Sequence, residues 1–533
     1  MIKLIINNKE VSVPKNSTIM QACNAADVTI PRFCYHERLA VAGNCRMCLV
    51  EVEKAPKPVA SCAMPALDGM VVHTDTPFVK KAREGVLEFL LANHPLDCPI
   101  CDQGGECDLQ DQTMIYGSDR SRQTDIKRAV EDKDCGPLIK TSMNRCIHCT
   151  RCVRFTKDIA GTQDLGVVGR GQEMEIGTYV KKAITSELSG NVIDLCPVGA
   201  LTSKPYAFKA RPWELKSVES VDVSDSLGSN IKIDAKGSDI LRISPVVNED
   251  INEEWISDKA RFAFDGLKTQ RLTTPLLNMG GQFKSITWEE GLSIAKKELT
   301  TINGRGLKAV VGPTVDTETL VALKDLVNKL GSSDITSSSL PYNSNADFRS
   351  NYILNKPLNN LAKADLCLLV GTNPRFEGSA LNLKLKKAVD ANNMVVATVG
   401  PAANLTYKTH HLGNNVNTLL KIAEGRHPFC QLLKEAKNPI ILVGSSIFSR
   451  ADSSSIINIV NNLETFVPDL VVNTLQGDAS SVGSLDLGLV SSNTKSQIPA
   501  KVLYLVGADS ISQELYTDST FIIYQGHLSL IHI

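Results

Sequence analysis

Residues 145–154 read Arg145-Cys146-Ile147-His148-Cys149-Thr150-Arg151-Cys152-Val153-Arg154, and Asp194-Leu195-Cys196-Pro197 follows after a long gap. Three cysteines in the order C-x2-C-x2-C with a remote Cys-Pro is the bacterial ferredoxin pattern for a 4Fe-4S cluster. A zinc site is not expected to use that spacing. In two-cluster ferredoxins the Cys-Pro cysteine serves the other cluster, but no second C-x2-C-x2-C accompanies Cys196, so it closes this one. His148, between two of the ligands, reads as a group that orients or hydrogen-bonds the cluster rather than binding it.

Two further groups lie upstream. Cys34, Cys45, Cys48 and Cys62 are spaced C-x10-C-x2-C-x13-C. Four thiolates from one loop and one later segment can surround a 2Fe-2S rhomb, and Gly43 lets the backbone come close to the sulfides. The alternative is a tetrahedral all-sulfur zinc site. His94, Cys98, Cys101 and Cys107 are spaced H-x3-C-x2-C-x5-C. A lone histidine at a helix end is ordinarily a capping or surface group. Here three close cysteines lack a fourth partner, His94 lies about one turn before the first of them, and Gly104-Gly105 leaves the backbone unobstructed. His94 is therefore read as the fourth ligand, an imidazole that adds no negative charge.

The composition agrees with a metal-rich chain. Of its 15 cysteines, Cys367 and Cys430 alone follow residue 200. Disulfide frameworks belong to small secreted domains, and the opening Met1-Ile-Lys-Leu-Ile-Ile is too short in apolar residues for a signal peptide, so the cysteines read as metal ligands in a reducing compartment. No Arg-rich, acid-poor transit segment precedes them, which implies a processed start or none needed. Cys23 and Cys367 are expected as buried apolar fillers, and Cys135 and Cys430 as non-ligands. His36, like His148, is expected near a cluster without binding it. With 57 basic and 58 acidic residues the chain lacks the electrostatic footprint of a nucleic-acid binder. No apolar run, Val86 to Ala92 and Ile440 to Val443 included, approaches the roughly 20 residues of a spanning helix.

At 533 residues the chain should hold roughly three to four units. Alternation over residues 1–13 with Asn7-Asn8 as the turn predicts a hairpin, and Ser17-Thr18 caps a helix to about Ala26. A strand is expected at Met47 to Glu53, and a helix over 78–93 with Val79, Ala82, Val86, Phe89 and Leu90 as its apolar stripe, ended by His94-Pro95. Residues 94–215 read as loop-rich. Beyond about Glu214, apolar runs ending in glycine recur at Leu307 to Gly312, Asp365 to Gly371, Met394 to Gly400, Pro439 to Gly444, Val502 to Gly507 and Phe521 to Gly526. With amphipathic stretches at Glu318 to Leu330 and Ser379 to Val389, they predict an α/β half with parallel strands. Thr336 to Ser339 and Ser453 to Ser455 are expected as surface loops. No phosphate-binding glycine loop and no nucleophile with a paired base is present, so the chemistry is one-electron transfer.

The three motifs, in this order and with the histidine exception, resemble those of the large peripheral-arm Fe-S subunits of respiratory complex I (NADH:ubiquinone oxidoreductase), the 75 kDa kind of the mitochondrial enzyme. The likeness extends through Arg32-Phe33-Cys34-Tyr35-His36, Gly43-Asn44-Cys45-Arg46-Met47-Cys48, Asn93-His94-Pro95-Leu96-Asp97-Cys98-Pro99, Gly104-Gly105-Glu106-Cys107-Asp108-Leu109-Gln110 and Asp194 to Leu201. In the second half it rests on Trp255-Ile256-Ser257-Asp258-Lys259, Asp265-Gly266-Leu267, Ile286 to Glu290 and Gly371-Thr372-Asn373-Pro374-Arg375. The resemblance implies an α+β N-terminal half: a β-grasp 2Fe-2S ferredoxin domain over 1–78, a 4Fe-4S segment with one histidine and three cysteine ligands over 79–125, and an all-cysteine 4Fe-4S ferredoxin-like domain over 126–215. An α/β molybdopterin-oxidoreductase-like domain that has lost its cofactor then fills 216–533. It implies one 2Fe-2S and two 4Fe-4S clusters, no molybdopterin, and electron relay from NADH toward quinone. The implied partners are the flavin/NADH-binding subunit and other Fe-S subunits of complex I, with no nucleic acid and membrane association only through the complex. The implied location is the matrix side of the mitochondrial inner membrane, or the cytoplasmic side of a bacterial plasma membrane.

Two departures stand out. Some members bind a fourth cluster through C-x2-C-x3-C after the Arg-Pro-Trp-Glu region, where this chain has Ser217, Ser220 and Ser224, so no fourth cluster is expected. Leu528 to Ile533 does not look like family sequence, and members continue well past it, so truncation is expected there. The N-terminal 200 residues also resemble the Fe-S modules of NAD-linked hydrogenases and formate dehydrogenases, an alternative that would require further cysteines in a catalytic motif.

Overall fold

The hairpin pattern at the N-terminus forms because both turn residues accept the left-handed conformation: Asn7 and Asn8 have φ of 47° and 70°, as a two-residue type I′ turn requires. In this computed structural model, β1 (Ile2–Ile6) and β2 (Lys9–Val13) pair antiparallel with Ile2 opposite Val13. The structure describes all residues except 179–181, 303, 339–341, 343–345, 490–498 and 528–533, so the expectation about Leu528 to Ile533 lies outside the described residues. Helix α1 (Ile19–Ala25) starts at Thr18, whose side chain and that of Gln21 form a capping box. Strands β3 (Leu49–Val52), β4 (Val59–Ala60) and β5 (Val71–His73) complete a sheet in the order β2-β1-β5-β3-β4, with β1 and β5 parallel. Leu4, Ile6, Val11, Ile19, Met20, Val50 and Val72 close one core between sheet and helix. Cys23 is buried in it, as expected of an apolar filler.

Helix α2 (Pro77–Ala92) begins with Pro at its first position behind the Thr76 cap. Its buried stripe differs from the expected one. Val79, Arg83 and Leu87 face inward, while Phe89 is 85% exposed. Arg83 holds an interior place because its Nη2 donates to the Leu49 carbonyl at 3.0 Å. After helix α3 (Asp108–Tyr116) the chain is mostly irregular. Two short antiparallel ladders organise it: β6 (Ile139–Thr141) with Leu201–Ser203, and Gly166–Val168 with Glu175–Gly177. Helix α4 (Arg151–Arg154) continues into a wider π-type turn, Phe155–Ala160, that Gly161 ends at φ 74°.

The chain divides into two compact units, Met1–Ser217 with Asp234–Arg242, and the remainder from Val218 to the end. The second unit holds two all-parallel sheets. One has the order Ile335–Ser337, Leu307–Val311, Val502–Val506, Phe521–Gln525. The other has the order His410–Gly413, Val395–Val399, Leu366–Val370, Pro439–Gly444, Val471–Leu475. All six glycine-terminated runs are strands, and helices Thr317–Lys329 and Ser379–Asn392 occupy the two amphipathic stretches. The two surface-loop expectations are corrected. Thr336 and Ser337 belong to a strand paired with Val310 and Val311, whereas Ser339 lies outside the described residues. Ser453 to Ser455 opens a helix, Ser453–Phe466, because Ile456, Ile457, Val460 and Leu463 recur at helical spacing and bury that face, Ser453 included.

Candidate metal centres

The first motif occupies the loop between α1 and β3 and the start of the segment after β4. Gly43 and Arg46 take φ of 63°, which folds the loop around its own cysteines. The Cys34 N–H donates to Cys45 Sγ at 3.4 Å, and the Cys34 thiol is hydrogen-bonded to those of Cys45 and Cys62, while Cys48 is hydrogen-bonded to Cys62. All four therefore converge, and Cys34, Cys48 and Cys62 are almost wholly buried. The contact with Cys45 holds the Cys34 thiol well down, and that with Cys62 does the same for Cys48. Cys45 and Cys62 are pushed up in return, each first by Cys34. Four converging sulfurs, three of them buried, make a thiol-lined pocket in the loop.

The third motif encloses a small cavity lined by Cys146, Cys149, Cys152 and Cys196 with Arg151, Ile147, Val198 and Leu201. His148 and Thr150 are both left-handed, at φ of 54° and 60°. That path turns backbone N–H groups onto sulfur: His148 N donates to Cys146 Sγ at 3.4 Å, and Arg151 N reaches Cys149. The backbone of Val198, Ala200 and Leu201 surrounds Cys196 in the same way. Burial pushes the Cys146 thiol up to about 12 and those of Cys149 and Cys196 up to about 11, with Cys152 also raised. The ladder between β6 and Leu201–Ser203 brings Cys196 to the other three.

In the second motif Cys98 is exposed, and Cys101 and Cys107 are buried. Cys107 caps α3, so the N–H groups of Leu109 and Gln110 approach its sulfur, although burial still lifts the thiol to about 11. The His94 ring hydrogen-bonds the Arg145 backbone, and burial lowers it to about 4, which keeps it neutral near pH 7. Its Nδ1 is buried without a hydrogen-bond partner. Cys101 and Cys107 feel each other's charge, and a neutral imidazole with an orphaned nitrogen is the protonation state that a histidine needs to act as a ligand. Gly199 packs so closely that a β-carbon there would overlap Cys101 Sγ.

Contacts link the third group to each of the others. Asn44 Nδ2 donates to the His148 carbonyl at 2.9 Å, and Arg154 Nη2 donates to the carbonyls of Cys34 and Cys149. On the other side Cys107 Sγ donates to the Pro197 carbonyl at 3.7 Å, and Arg145 Nε donates to Asp97 at 3.0 Å. Among the described residues no three or more His, Cys, Asp or Glu side chains form a group that could hold a single metal ion. In a polynuclear cluster the thiolates are shared out among several irons, a wider arrangement. The arginines of residues 145–154 were not singled out by sequence reading; their alternation with the three cysteines is the signal that could have found them. Cys135, Cys367 and Cys430 join none of the groups: Cys367 lies in a strand core, and Cys430 Sγ donates to the Ile422 carbonyl. His36, also lowered to about 4 by burial, accepts from Arg38 N at 3.4 Å. Ser217 Oγ donates to Asp234 at 2.6 Å, and Ser224 Oγ to Asp222 at 2.8 Å.

Family models match in five blocks: a 2Fe-2S iron-sulfur cluster binding domain over 1–77, an NADH-ubiquinone oxidoreductase-G iron-sulfur binding region over 83–122, and the ferredoxin-like domain of NADH-quinone oxidoreductase subunit 3 over 136–202. An NDSU1/NuoG-like 4Fe-4S domain matches 215–265, a stretch without a cysteine, and molybdopterin oxidoreductase matches 271–530. The NADH-ubiquinone oxidoreductase 75 kDa subunit of Reclinomonas americana is 56% identical over 99% of this chain and 80% of its own length. The mitochondrial NADH dehydrogenase [ubiquinone] iron-sulfur protein 1 of Solanum tuberosum is 55% identical over 99% and 72%. The mitochondrial 78 kDa subunit of Candida albicans is 52% identical over 99% and 74%. Among solved structures, an NAD+-reducing [NiFe]-hydrogenase in the H2-reduced state is 28% identical, covering 39% of this chain and 90% of its own with a TM-score of 0.37.

Proposed function

The chain belongs to the family of the 75/78 kDa iron–sulfur subunits of NADH-ubiquinone oxidoreductase, and from that premise we propose how its residues divide the work. It is a core Fe-S subunit of the peripheral arm of respiratory complex I, an oxidoreductase component that relays electrons from NADH toward quinone. Cys34, Cys45, Cys48 and Cys62 hold one 2Fe-2S cluster. His94, Cys98, Cys101 and Cys107 hold one 4Fe-4S cluster, and Cys146, Cys149, Cys152 and Cys196 hold the other. When bound, these groups supply one-electron transfer. The protein's part is to bury the thiols, aim backbone N–H groups at sulfur and exclude water. The observation that carries this reading is the convergence of the first and of the third cysteine set inside one unit, with the third motif bridged to both of the others.

The corresponding boundaries are 1–78, 79–125 and 126–215, with 216–533 as a domain that binds no molybdopterin and acts as a docking scaffold. The contacts of Ser217 and Ser224 favour a family fold kept without a fourth cluster. Electrons arrive from the flavin/NADH-binding subunit and leave through neighbouring Fe-S subunits, on the matrix side of the mitochondrial inner membrane; no helix among the described residues is long and apolar enough to cross a membrane. The hydrogenase or formate dehydrogenase alternative is disfavoured by relatives matching 99% of the chain and by the burial of Cys367 in a strand. Iron and acid-labile sulfide should be counted on the anaerobically purified protein together with its reduced electron paramagnetic resonance spectrum. The expectation is about ten of each per chain, from one 2Fe-2S and two 4Fe-4S clusters; zinc without sulfide would overturn the reading.

A further inference from the structure

Arg151 stands one residue before the ligand Cys152, is 8% exposed, and lines the cavity that Cys146, Cys149, Cys152 and Cys196 enclose. Its terminal nitrogens are spent on the protein. Nη2 donates to the Tyr35 carbonyl at 3.0 Å, Nη1 donates to the Leu195 carbonyl at 3.3 Å, and Nη1 lies 3.7 Å from Asp108 Oδ2. Tyr35, Leu195 and Asp108 each adjoin a ligand, Cys34, Cys196 and Cys107, so one guanidinium braces loops from all three motifs. Its Nε is different: it is buried and has no hydrogen-bond partner, cysteine sulfur included. Leaving a donor of a charged group unpaired in the interior carries a desolvation cost that a buried partner would remove. A residue fixed at both Nη atoms cannot swing away to avoid that cost.

We propose that Arg151 Nε–H donates a hydrogen bond to an inorganic sulfur of the cluster held by Cys146, Cys149, Cys152 and Cys196, and that this bond and the fixed positive charge raise the midpoint potential of that cluster. The inference rests on the cluster assignment made above. Arg151 is a positioning residue that touches the group from outside its ligand set. A hydrogen bond or positive charge at sulfur stabilises the more negative, reduced state, so its loss lowers the potential. Lysine in its place keeps the charge without the planar fork.

The test uses the assembled complex prepared from cells fed arginine labelled with 15N in the side chain alone. Pulsed electron paramagnetic resonance on the reduced third-motif cluster should detect coupling to arginine 15N, which Arg151→Lys removes. Redox titration should show the midpoint of that cluster falling in Arg151→Lys and further in Arg151→Gln. Absence of arginine coupling in the unsubstituted complex, the result if a water satisfies Nε, would overturn the proposal even if both variants failed to assemble. An unchanged midpoint in a variant that keeps its cluster signal would overturn it too. Absence of the cluster signal itself from the unsubstituted complex would instead remove the underlying assignment.

Discussion

Adding a single methyl group at Gly199 should empty the histidine-bearing centre. Gly199 lies outside the left-handed region, so alanine brings no backbone strain there, yet its β-carbon would overlap Cys101 Sγ and stand 3.2 Å from Gln103 Cβ. Non-bonded heavy atoms settle at about 3.5–4.0 Å, so the sulfur would have to retreat by about 1 Å or more. Metal–ligand distances tolerate only about 0.2 Å, which puts Cys101 out of bonding range. Overpacking of this kind costs about 1–3 kcal/mol, within the roughly 5–15 kcal/mol that holds a domain together, so the chain should still fold. Gly199→Ala is therefore expected to lose about four irons and four sulfides and the spectrum of the His94, Cys98, Cys101, Cys107 centre, with the 2Fe-2S signal retained. A full complement of iron with an unchanged spectrum would refute the packing argument.

Three other outcomes are expected. His94→Cys should keep its cluster but lower the midpoint, since a thiolate adds negative charge; a redox titration showing an unchanged or raised value counts against this. Burial pushes Asp225 up from 3.8 to about 6, so its contribution to stability is full below pH 3.8 and is lost as pH rises through 6. Asp225→Asn should accordingly gain on the order of 2–3 kcal/mol relative to the unsubstituted protein at pH 8 and almost nothing near pH 4, and equal gains in denaturant titrations at both pH values would contradict it. Gly85 lies within α2 with open space around an added β-carbon, so Gly85→Ala should stabilise by about 0.5–1 kcal/mol, visible as a higher melting temperature; a lower one would show that the face is needed free.

The iron–sulfur regions and the six glycine-terminated strands were legible because each signal is local: cysteine spacing within a loop, or apolar runs closed by a turn residue. What escaped depends on partners distant in sequence. Arg83 is interior because the Leu49 carbonyl and the Tyr116 ring receive its guanidinium, which no helical-periodicity argument on α2 contains, and Phe89 is exposed in consequence of that rotation. Ser453 to Ser455 carries loop composition, yet the isoleucines that follow pull the serines into a helix. The bracing arginines look like ordinary surface charge until the carbonyls of Cys34, Tyr35 and Leu195 are seen to accept from them.

The short ladder between β6 and Leu201–Ser203 sets an order on biogenesis. Cys146, Cys149 and Cys152 emerge from the ribosome together, but Cys196 joins them only when strands far apart in sequence have paired. Iron–sulfur donors meeting the nascent chain would find three thiolates and an open side, and the centre can be sealed only after the polypeptide has closed on itself. Cluster loading at this position would then be completed together with the pairing of the two strands, each stabilising the other.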